Sequence, residues 1–365
     1  MMQIALSFIT RATLLLIIAA SISPTCQGSK TTPSVATHSG YLTFFLDNDL
    51  FAGTDENYTN GARISYVTAG APVIEIPFIQ KNLERFSGND QGSSLLQRIW
   101  GFEDPSAAQY SYGFALTQLM FTPENKISPV APPKERPYAG WTGIGFSLHC
   151  HDNRALNTVE ISIGVVGPHA QAQATQDFIH NLRNIDKFRG WDSQIPNELT
   201  VNLHFEQKRR WTDLRKINLP FNLEIDGFHE TGYAIGNQIT EAHVGFLMRV
   251  GWNLPIEFSD ARITPTAHTQ KLFSGESYNK KNWSFYMLAG TRLTGVLHDI
   301  TIDGPVFRNF DTGVTREPWV GEVYAGFGVR YVGWEFNFVQ TFRSKQFESQ
   351  RKNQSFGSIA IRKRF

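Results

Sequence analysis

Residues 356–365 read FGSIAIRKRF. The side chains at Gly357, Ile359, Ile361 and Phe365 are small or apolar and alternate with a more polar set, which is the two-residue period of a β-strand. Lys363 interrupts the apolar set, but near a membrane interface its long stem lets the ammonium group reach water. A last strand that ends in phenylalanine is typical of β-barrels inserted into bacterial outer membranes. The sequence therefore predicts a membrane β-barrel.

Alternation of this kind recurs along the chain in about twelve segments. They are Tyr41–Leu50, Gly61–Ala69, Tyr110–Phe121, Gly140–His149, Val159–Val166, Leu199–Phe205, Leu219–Ile225, Ala242–Trp252, Trp283–Leu293, Glu322–Val332, Gly333–Arg343 and Phe356–Phe365. An even number of antiparallel strands keeps both ends of the chain in the periplasm. The 28 Phe, 11 Tyr and 8 Trp residues supply aromatic girdles for both membrane interfaces. We predict an all-β fold, a transmembrane antiparallel β-barrel in the bacterial outer membrane.

The start of the chain indicates export. The apolar run Leu14–Ala20 is about half the length that spans a bilayer, so a cleaved signal peptide over residues 1–28 fits better than a membrane anchor. Residues 29–365 then form a single barrel domain. With Cys26 removed, Cys150 is the remaining cysteine, which excludes an internal disulfide. The net charge of +1 gives no electrostatic reason to expect binding to nucleic acid. We also expect the protein to be a monomer.

One stretch departs from the strand pattern. Ala170, Ala174, Phe178 and Leu182 recur at helical spacing within residues 170–184. The sequence therefore predicts one short helix in an extracellular loop. Loops that carry structure of their own frequently carry function.

Gln176 and His180 lie four residues apart and so share one face of that helix. His180 is a candidate general base because a neutral imidazole takes a proton from water near neutral pH. Gln176 is a candidate for holding the water or the substrate. The alternative is an exposed loop helix that simply carries polar residues.

A second polar set lies on the first predicted hairpin. Asn48 and Asp49 end one strand, and Thr59 lies near the start of the next. Carboxylate, amide and hydroxyl oxygens are the ligands that calcium prefers, so this tip is a candidate calcium site. The alternative is a hairpin that is rich in turn-forming residues.

Charged residues elsewhere extend the candidate site. Arg136 precedes a predicted strand and is placed either to contact a phosphate through two hydrogen bonds or to anchor an aromatic belt. Glu198 follows the helix and adds a carboxylate. A serine nucleophile has no local support, because the sequence lacks a Gly-x-Ser-x-Gly elbow.

Taken in order, these segments resemble the outer-membrane lipid A 3′-O-deacylase family over about residues 40–365. The matching segments are Asn48-Asp49, Tyr58-Thr59-Asn60-Gly61, Arg136-Pro137-Tyr138-Ala139-Gly140, Val165-Val166-Gly167-Pro168 leading to Gln176 and His180, and Gly190-Trp191-Asp192-Ser193-Gln194. The resemblance implies a twelve-stranded barrel with an active site between the wall and a loop helix. It also implies chemistry similar to phospholipase A2, in which calcium forms the oxyanion hole and a histidine activates water.

Carried over to this sequence, the resemblance implies that His180 is the base and that Gln176 and Asn48 belong to the catalytic set. It implies that Asp49 and Thr59 bind calcium and that Arg136 contacts a glucosamine phosphate. The family also has a glutamate shortly after the histidine. In this sequence the corresponding residue is Glu198 if residue type decides and Asp186 if spacing decides. The sequence does not choose between them.

We therefore predict a carboxylic ester hydrolase that removes 3′-linked acyl chains from lipid A, the membrane anchor of lipopolysaccharide, with Ca²⁺ as cofactor. Its partners would be lipid A and the lipids of the outer membrane. One alternative is an outer-membrane phospholipase, which would use similar chemistry on a smaller head group. The other is a non-enzymatic barrel or pore on the same scaffold.

Overall fold

The computed structural model describes residues 40–49, 57–68, 109–125, 127–151, 155–184, 186–211, 217–218, 220–255, 258, 261–263 and 283–365. The predicted signal peptide, residues 1–28, lies outside the described residues. Among those residues, no helix combines the length and the apolar character needed to cross a membrane.

The described residues form a closed antiparallel β-barrel. Its strands are β1 (Gly40–Asn48), β2 (Asn57–Thr68), β3 (Gln109–Thr122), β4 (Ala139–His151), β5 (Ala155–Val166), β6 (Glu198–Arg210), β7 (Ile217–Asn218), β8 (Glu224–Gly236), β9 (Ile239–Trp252), β10 (Trp283–Asp299), β11 (Trp319–Tyr331), β12 (Trp334–Arg343) and β13 (Gln354–Arg364). Strands that are consecutive in sequence pair with one another, and β1 pairs with β13, which closes the barrel. The exception is the two-residue β7, because β6 pairs directly with β8. The wall described here thus has twelve strands, which confirms the predicted fold class.

One predicted strand is misplaced. The segment Leu219–Ile225 was expected to alternate, but residues 220–222 form a 3₁₀ turn and β8 runs over Glu224–Gly236. Asp226 and Glu230 on the buried face of β8 are charged, while His229 and Thr231 on its other face are polar. Because neither face of β8 is consistently apolar, the strand has no alternation that a sequence pattern can detect.

The outer face of the wall is identified by its exposed apolar side chains. On β1, Phe44 is exposed, and it pairs with Ile64 of β2 and Ile361 of β13, which are exposed as well. Other exposed apolar residues continue this belt around the barrel, among them Phe114, Leu116, Ile144, Phe146, Ile161, Ile163, Val201, Val244, Met287, Val323 and Phe336. An apolar outward face is what a bilayer requires of a barrel.

The inner face carries charged side chains that pair across the interior. Arg292 Nη2 lies 2.7 Å from Glu230 Oε1, and Lys208 Nζ lies 3.7 Å from Glu230 Oε2. Asp226 Oδ2 similarly lies 2.6 Å from Arg249 Nη2. Pairing of this kind is required because an uncompensated buried charge costs several kcal/mol.

The two rims of the barrel differ. At one, here called the terminal rim, Phe365 N donates a hydrogen bond of 3.0 Å to Gly40 O. Lys363 Nζ lies 4.8 Å from the ring of Trp334 near this rim, as expected of a lysine close to a membrane interface. The opposite rim, here called the helix rim, carries α1 (Ala172–Arg183) and the one-turn α2 (Ile300–Asp303). The predicted loop helix is therefore present, between β5 and β6.

Candidate active site

The loop that carries α1 is held on the outer face of the wall. Gln118 of β3 and Thr142 of β4 belong to the outward sets of their strands, and each donates a side-chain hydrogen bond of 2.8 Å to Ala170 O. Gly140 lies under Ala172, and a Cβ added to Gly140 would lie 2.4 Å from the Cβ of Ala172. The space between α1 and the wall therefore opens on the outside of the barrel, at the helix rim.

His180 is buried on the face of α1 that packs toward the wall, with 4% of its surface exposed. The helix ends at Arg183, and its C-cap residue Asn184 has the left-handed backbone (φ 55°) that commonly ends a helix. The carbonyl oxygen of Asp186 lies 2.7 Å from His180 Nδ1. Because a carbonyl oxygen only accepts hydrogen bonds, Nδ1 must carry the proton and the basic lone pair of the neutral ring lies on Nε2.

Gln176 is buried one turn before His180, with 4% of its surface exposed. Its Oε1 accepts a hydrogen bond of 2.7 Å from Trp191 Nε1. An indole N–H only donates, so this contact fixes the orientation of the amide and turns Nε2 away from Trp191. Among the described residues, Gln176 Nε2 has no hydrogen-bond partner although it is buried. Gln176 Nε2 can therefore donate a hydrogen bond to a substrate oxygen or to a water molecule.

Aromatic rings support this pair from the side of the wall. Trp191 lies 5.3 Å from Tyr138, and Phe188 lies 5.8 Å from the imidazole of His180. Burial raises the pKa of Tyr138 to about 12, so its phenol stays neutral. The role of Trp191 does not follow from the sequence, because nothing in the spacing of Trp191 and Gln176 reveals that they touch.

The predicted calcium ligands lie at the same rim. The register between β2 and β3 shifts between Tyr58 and Asn60, a β-bulge that sends Thr59 to the outer face. Thr59 Oγ1 there lies 2.7 Å from Oγ1 of Thr122, the last residue of β3. Asn48 lies on the outward set of β1, opposite Asn60. Asn48 and Thr59 therefore share with α1 the outer face of four consecutive strands, β1 to β4.

Asp49 follows Asn48 directly and is fully buried. The residues around this tip thus offer an amide, a carboxylate and a hydroxyl, all with oxygen atoms. Such a donor set fits calcium and fits zinc poorly, because zinc prefers nitrogen and sulfur ligands.

Comparison with known proteins identifies the family of this chain. The model of the family described as "Outer membrane protein LpxR" matches residues 12–365. The chain belongs to the LpxR family. Curated protein sequences show no match to it. Membership of the LpxR family locates the protein in the bacterial outer membrane.

A solved structure of an LpxR protein agrees with the fold. LpxR from Salmonella typhimurium superposes with a TM-score of 0.67 at 17% sequence identity, covering 89% of this chain and 100% of that chain. The β domain of the Bordetella autotransporter Brka gives a TM-score of 0.40 at 7% identity, covering 90% of this chain and 99% of that chain. At 17% identity the Salmonella structure supports the barrel fold of this LpxR-family chain and nothing finer.

Arg136 does not lie at the space under α1. It is fully buried, its Nη1 donates to Gln346 Oε1 (2.9 Å), and its Nη2 donates to Thr301 Oγ1 (2.7 Å). Its guanidinium group also lies 4.3 Å from the centre of the Phe121 ring, on the inward side of β3. Burial lowers the pKa of Arg136 to about 10, so it remains cationic at neutral pH. Arg136 thus ties together loops of the helix rim, and its predicted phosphate contact has no geometric support.

Glu198 also lies on the inward side of the wall. Its Oε1 accepts hydrogen bonds from Asn237 Nδ2 (3.0 Å) and Val306 N (3.1 Å), and its Oε2 accepts from Phe307 N (2.8 Å). The carboxylate therefore anchors the loop between β10 and β11. Of the two residues that the sequence left open, the structure brings the backbone carbonyl of Asp186 next to His180, while the Asp186 side chain is exposed. It does not bring Glu198 there.

A different group of buried side chains could also hold a metal ion. In the part of the chain that the structure describes, ligand atoms of Glu206, Glu230 and His243 lie within 4.8 Å of one another. These residues lie inside the barrel, and Arg292 Nη2 is already 2.7 Å from Glu230 and 3.4 Å from Glu206. Lys208 Nζ lies 3.7 Å from both carboxylates. A divalent cation would have to bind beside these positive charges, so this group fits calcium less well than the outer tip does.

Proposed function

We propose that this LpxR-family chain removes 3′-linked acyl chains from lipid A by calcium-assisted attack of a water molecule that His180 activates. Family membership supports an outer-membrane enzyme that modifies lipid A. The hydrolytic step is supported by the hydrogen bond of 2.7 Å between His180 Nδ1 and Asp186 O, since it leaves the basic Nε2 lone pair for a proton. In a barrel with periplasmic termini the helix rim is extracellular, where lipid A resides.

In the proposed reaction, His180 Nε2 takes a proton from water while the water oxygen bonds to the acyl carbonyl carbon. The carbonyl oxygen becomes an oxyanion, to which the amide of Gln176 donates a hydrogen bond. The ester bond to the sugar oxygen then breaks, and His180 returns its proton to that oxygen. The products are a free fatty acid and a sugar hydroxyl. The Trp191 indole keeps the Gln176 amide in the orientation that this donation requires.

Calcium, when bound, would supply positive charge for the oxyanion. We propose that Asn48, Asp49 and Thr59 hold it, because they offer amide, carboxylate and hydroxyl oxygens at the same rim as α1. Asn48 and Thr59 also lie on the outer face that carries the helix. Asp186 is the better candidate for a further carboxylate ligand. Both oxygens of Glu198 already accept hydrogen bonds from the loop between β10 and β11 and from Asn237.

Mass spectrometry of lipid A from bacteria that express the chain tests this proposal. We expect the mass of the 3′ acyl group to be lost, because the proposed site opens beside lipid in the outer leaflet. Unchanged lipid A together with fatty acid released from phospholipid would favour the phospholipase. No change in either lipid, from protein confirmed to be in the outer membrane, would favour the non-enzymatic barrel.

The close approach of α1 to the wall gives a second test. In the Gly140→Ala variant the new methyl group would meet the Cβ of Ala172 at 2.4 Å, so α1 must move outward. We expect the rate of fatty acid release to fall about 10²-fold, since a misplacement of about 1 Å can have that effect. The measurement is the initial rate of deacylation in reconstituted membranes.

The matched control is the double variant Gly140→Ala, Ala172→Gly, which removes the opposing methyl group. With it gone, the contacts of the new Cβ are 3.4 Å or longer. Recovery of activity in the double variant would locate the defect in the gap between α1 and β4. Full activity of Gly140→Ala alone would contradict the packing of α1 on the wall.

A further inference from the structure

The helix α1 has its polar and apolar faces reversed relative to a helix on a soluble protein. Its buried stripe is Ala172, Gln176 and His180, which includes the two polar candidates for catalysis. Its exposed stripe is made of Ala174, Phe178 and Leu182, which the sequence analysis used only as a sign of helical spacing. Phe178 is 65% exposed and Leu182 is 74% exposed. Residues four apart lie on one side of a helix, so these three form a continuous apolar ridge.

The ridge is adjacent to the lipid-facing surface of the barrel. On β3, Leu116 is the last strongly exposed apolar residue, and Gln118, two positions further along the same face, donates its hydrogen bond to Ala170 O. On β4, Ile144 stands in the same relation to Thr142. Two residues along a strand are about 7 Å. The N-terminal end of α1 therefore begins about 7 Å along the strand from the belt, on the side of the wall that contacts lipid.

We infer that the ridge formed by Ala174, Phe178 and Leu182 is inserted into the outer leaflet of the membrane, so that α1 is an interfacial helix as well as the carrier of His180. Two large apolar side chains exposed one turn apart are energetically unfavourable in water and favourable at the level of the acyl chains. Phenylalanine is a residue that interfacial helices use on their membrane side. The occupant of the ridge is thus the acyl region of outer-leaflet lipid, continuous with the lipid that surrounds β3 and β4.

This placement is independent of the proposed reaction, because it concerns the position of α1 and not its chemistry. Insertion of the ridge also provides a route by which an acyl chain would reach His180. A helix with its outer side in the leaflet lets the chain pass from surrounding lipid into the space beneath the helix without crossing water.

Fluorescence quenching tests the insertion. The variants Phe178→Cys and Leu182→Cys, in a chain with Cys26 and Cys150 replaced by serine, are labelled with an environment-sensitive fluorophore and reconstituted into phosphatidylcholine vesicles. Some vesicles carry a spin label near the top of the acyl chain. The matched control is Gln173→Cys, an exposed polar position of the same helix on another side. We expect quenching at positions 178 and 182 to exceed that at 173 about twofold or more.

Equal and weak quenching at all three positions would overturn the inference. Disulfide-linked dimers of unlabelled Phe178→Cys would also overturn the inference, because they would show that the ridge contacts a second copy of the protein and not lipid. Barrel folding of each variant is checked by its heat-dependent shift in gel mobility.

A second measurement uses access of a protease to the helix. Lysine is introduced as Phe178→Lys or Gln173→Lys, and trypsin is added to intact vesicles. Insertion predicts that Gln173→Lys gains a cleavage site. Phe178→Lys should gain a cleavage site only if the new lysine displaces the ridge from the membrane. Such a displacement is detected as a loss of acyl-chain quenching of the fluorophore at position 182, measured in a chain that also carries Leu182→Cys. Cleavage at 178 with that quenching unchanged would overturn the inference.

Discussion

Replacement of His180 by alanine is expected to lower the rate of lipid A deacylation by about 10²–10⁴-fold while the barrel still folds. The loss follows from removal of the Nε2 lone pair that the bond to Asp186 O leaves available. The ring is buried against Phe188, but its removal affects a loop on the outside of the wall and not the strand pairing. The measurement is fatty acid release from lipid A in reconstituted membranes, with folding followed by gel mobility.

The matched control for this variant is His169→Ala. His169 lies in the same loop but is exposed, so its loss should leave the rate unchanged. A correctly inserted His180→Ala protein that deacylates lipid A at the full rate would exclude His180 as the base. Loss of activity in both variants would indicate that the loop as a whole is disturbed.

Replacement of Asp49 by asparagine is expected to lower the rate by at least about 10²-fold, and removal of calcium by a chelator should have a similar effect on the natural chain. Asparagine keeps the size of the side chain and removes its charge, which weakens binding of a hard cation. If Asp49 acts through calcium, chelator should lower the rate of Asp49→Asn little further. The measurement is the deacylation rate across a calcium titration, which should show a raised calcium requirement for the variant.

The matched control is Asp192→Asn, an exposed carboxylate in the loop that follows α1. Its calcium titration should coincide with that of the natural chain. A natural chain that is fully active in chelator would refute the calcium proposal and leave Asp49 with a structural role. Asp186→Asn is informative in the same titration, because it removes a charge but retains the carbonyl oxygen that holds His180.

Much of the barrel could be predicted because a lipid-facing strand leaves a strong signal. Strands such as β1 and β13 have an apolar outward face and a polar inward face, and their positions follow from the alternation. The prediction failed at β8, where charged residues such as Glu230 face the interior and the outward face mixes polar residues with apolar ones. A strand whose outward face is not consistently apolar shows no clear two-residue period in its sequence.

The candidate site was predictable in part for a different reason. Gln176 and His180 lie in one helix, so their shared face follows from spacing alone. The contact of Trp191 with Gln176 and the outward turn of Thr59 depend on the path of the loop and on a β-bulge, and neither leaves a mark in the sequence. Arg136 and Glu198 were grouped with the site by residue type. Only the structure places both on the inward side of the wall.

The location of α1 on the outer surface of the wall has a kinetic consequence. A substrate that reaches the space between α1 and the wall arrives by lateral diffusion within the leaflet and not from bulk solution. The reaction would then depend on the mole fraction of lipid A among its neighbours. Dilution of lipid A with inert lipid should slow the enzyme even when the total concentration of lipid A in the tube is unchanged, whereas dilution with buffer should leave turnover per molecule the same.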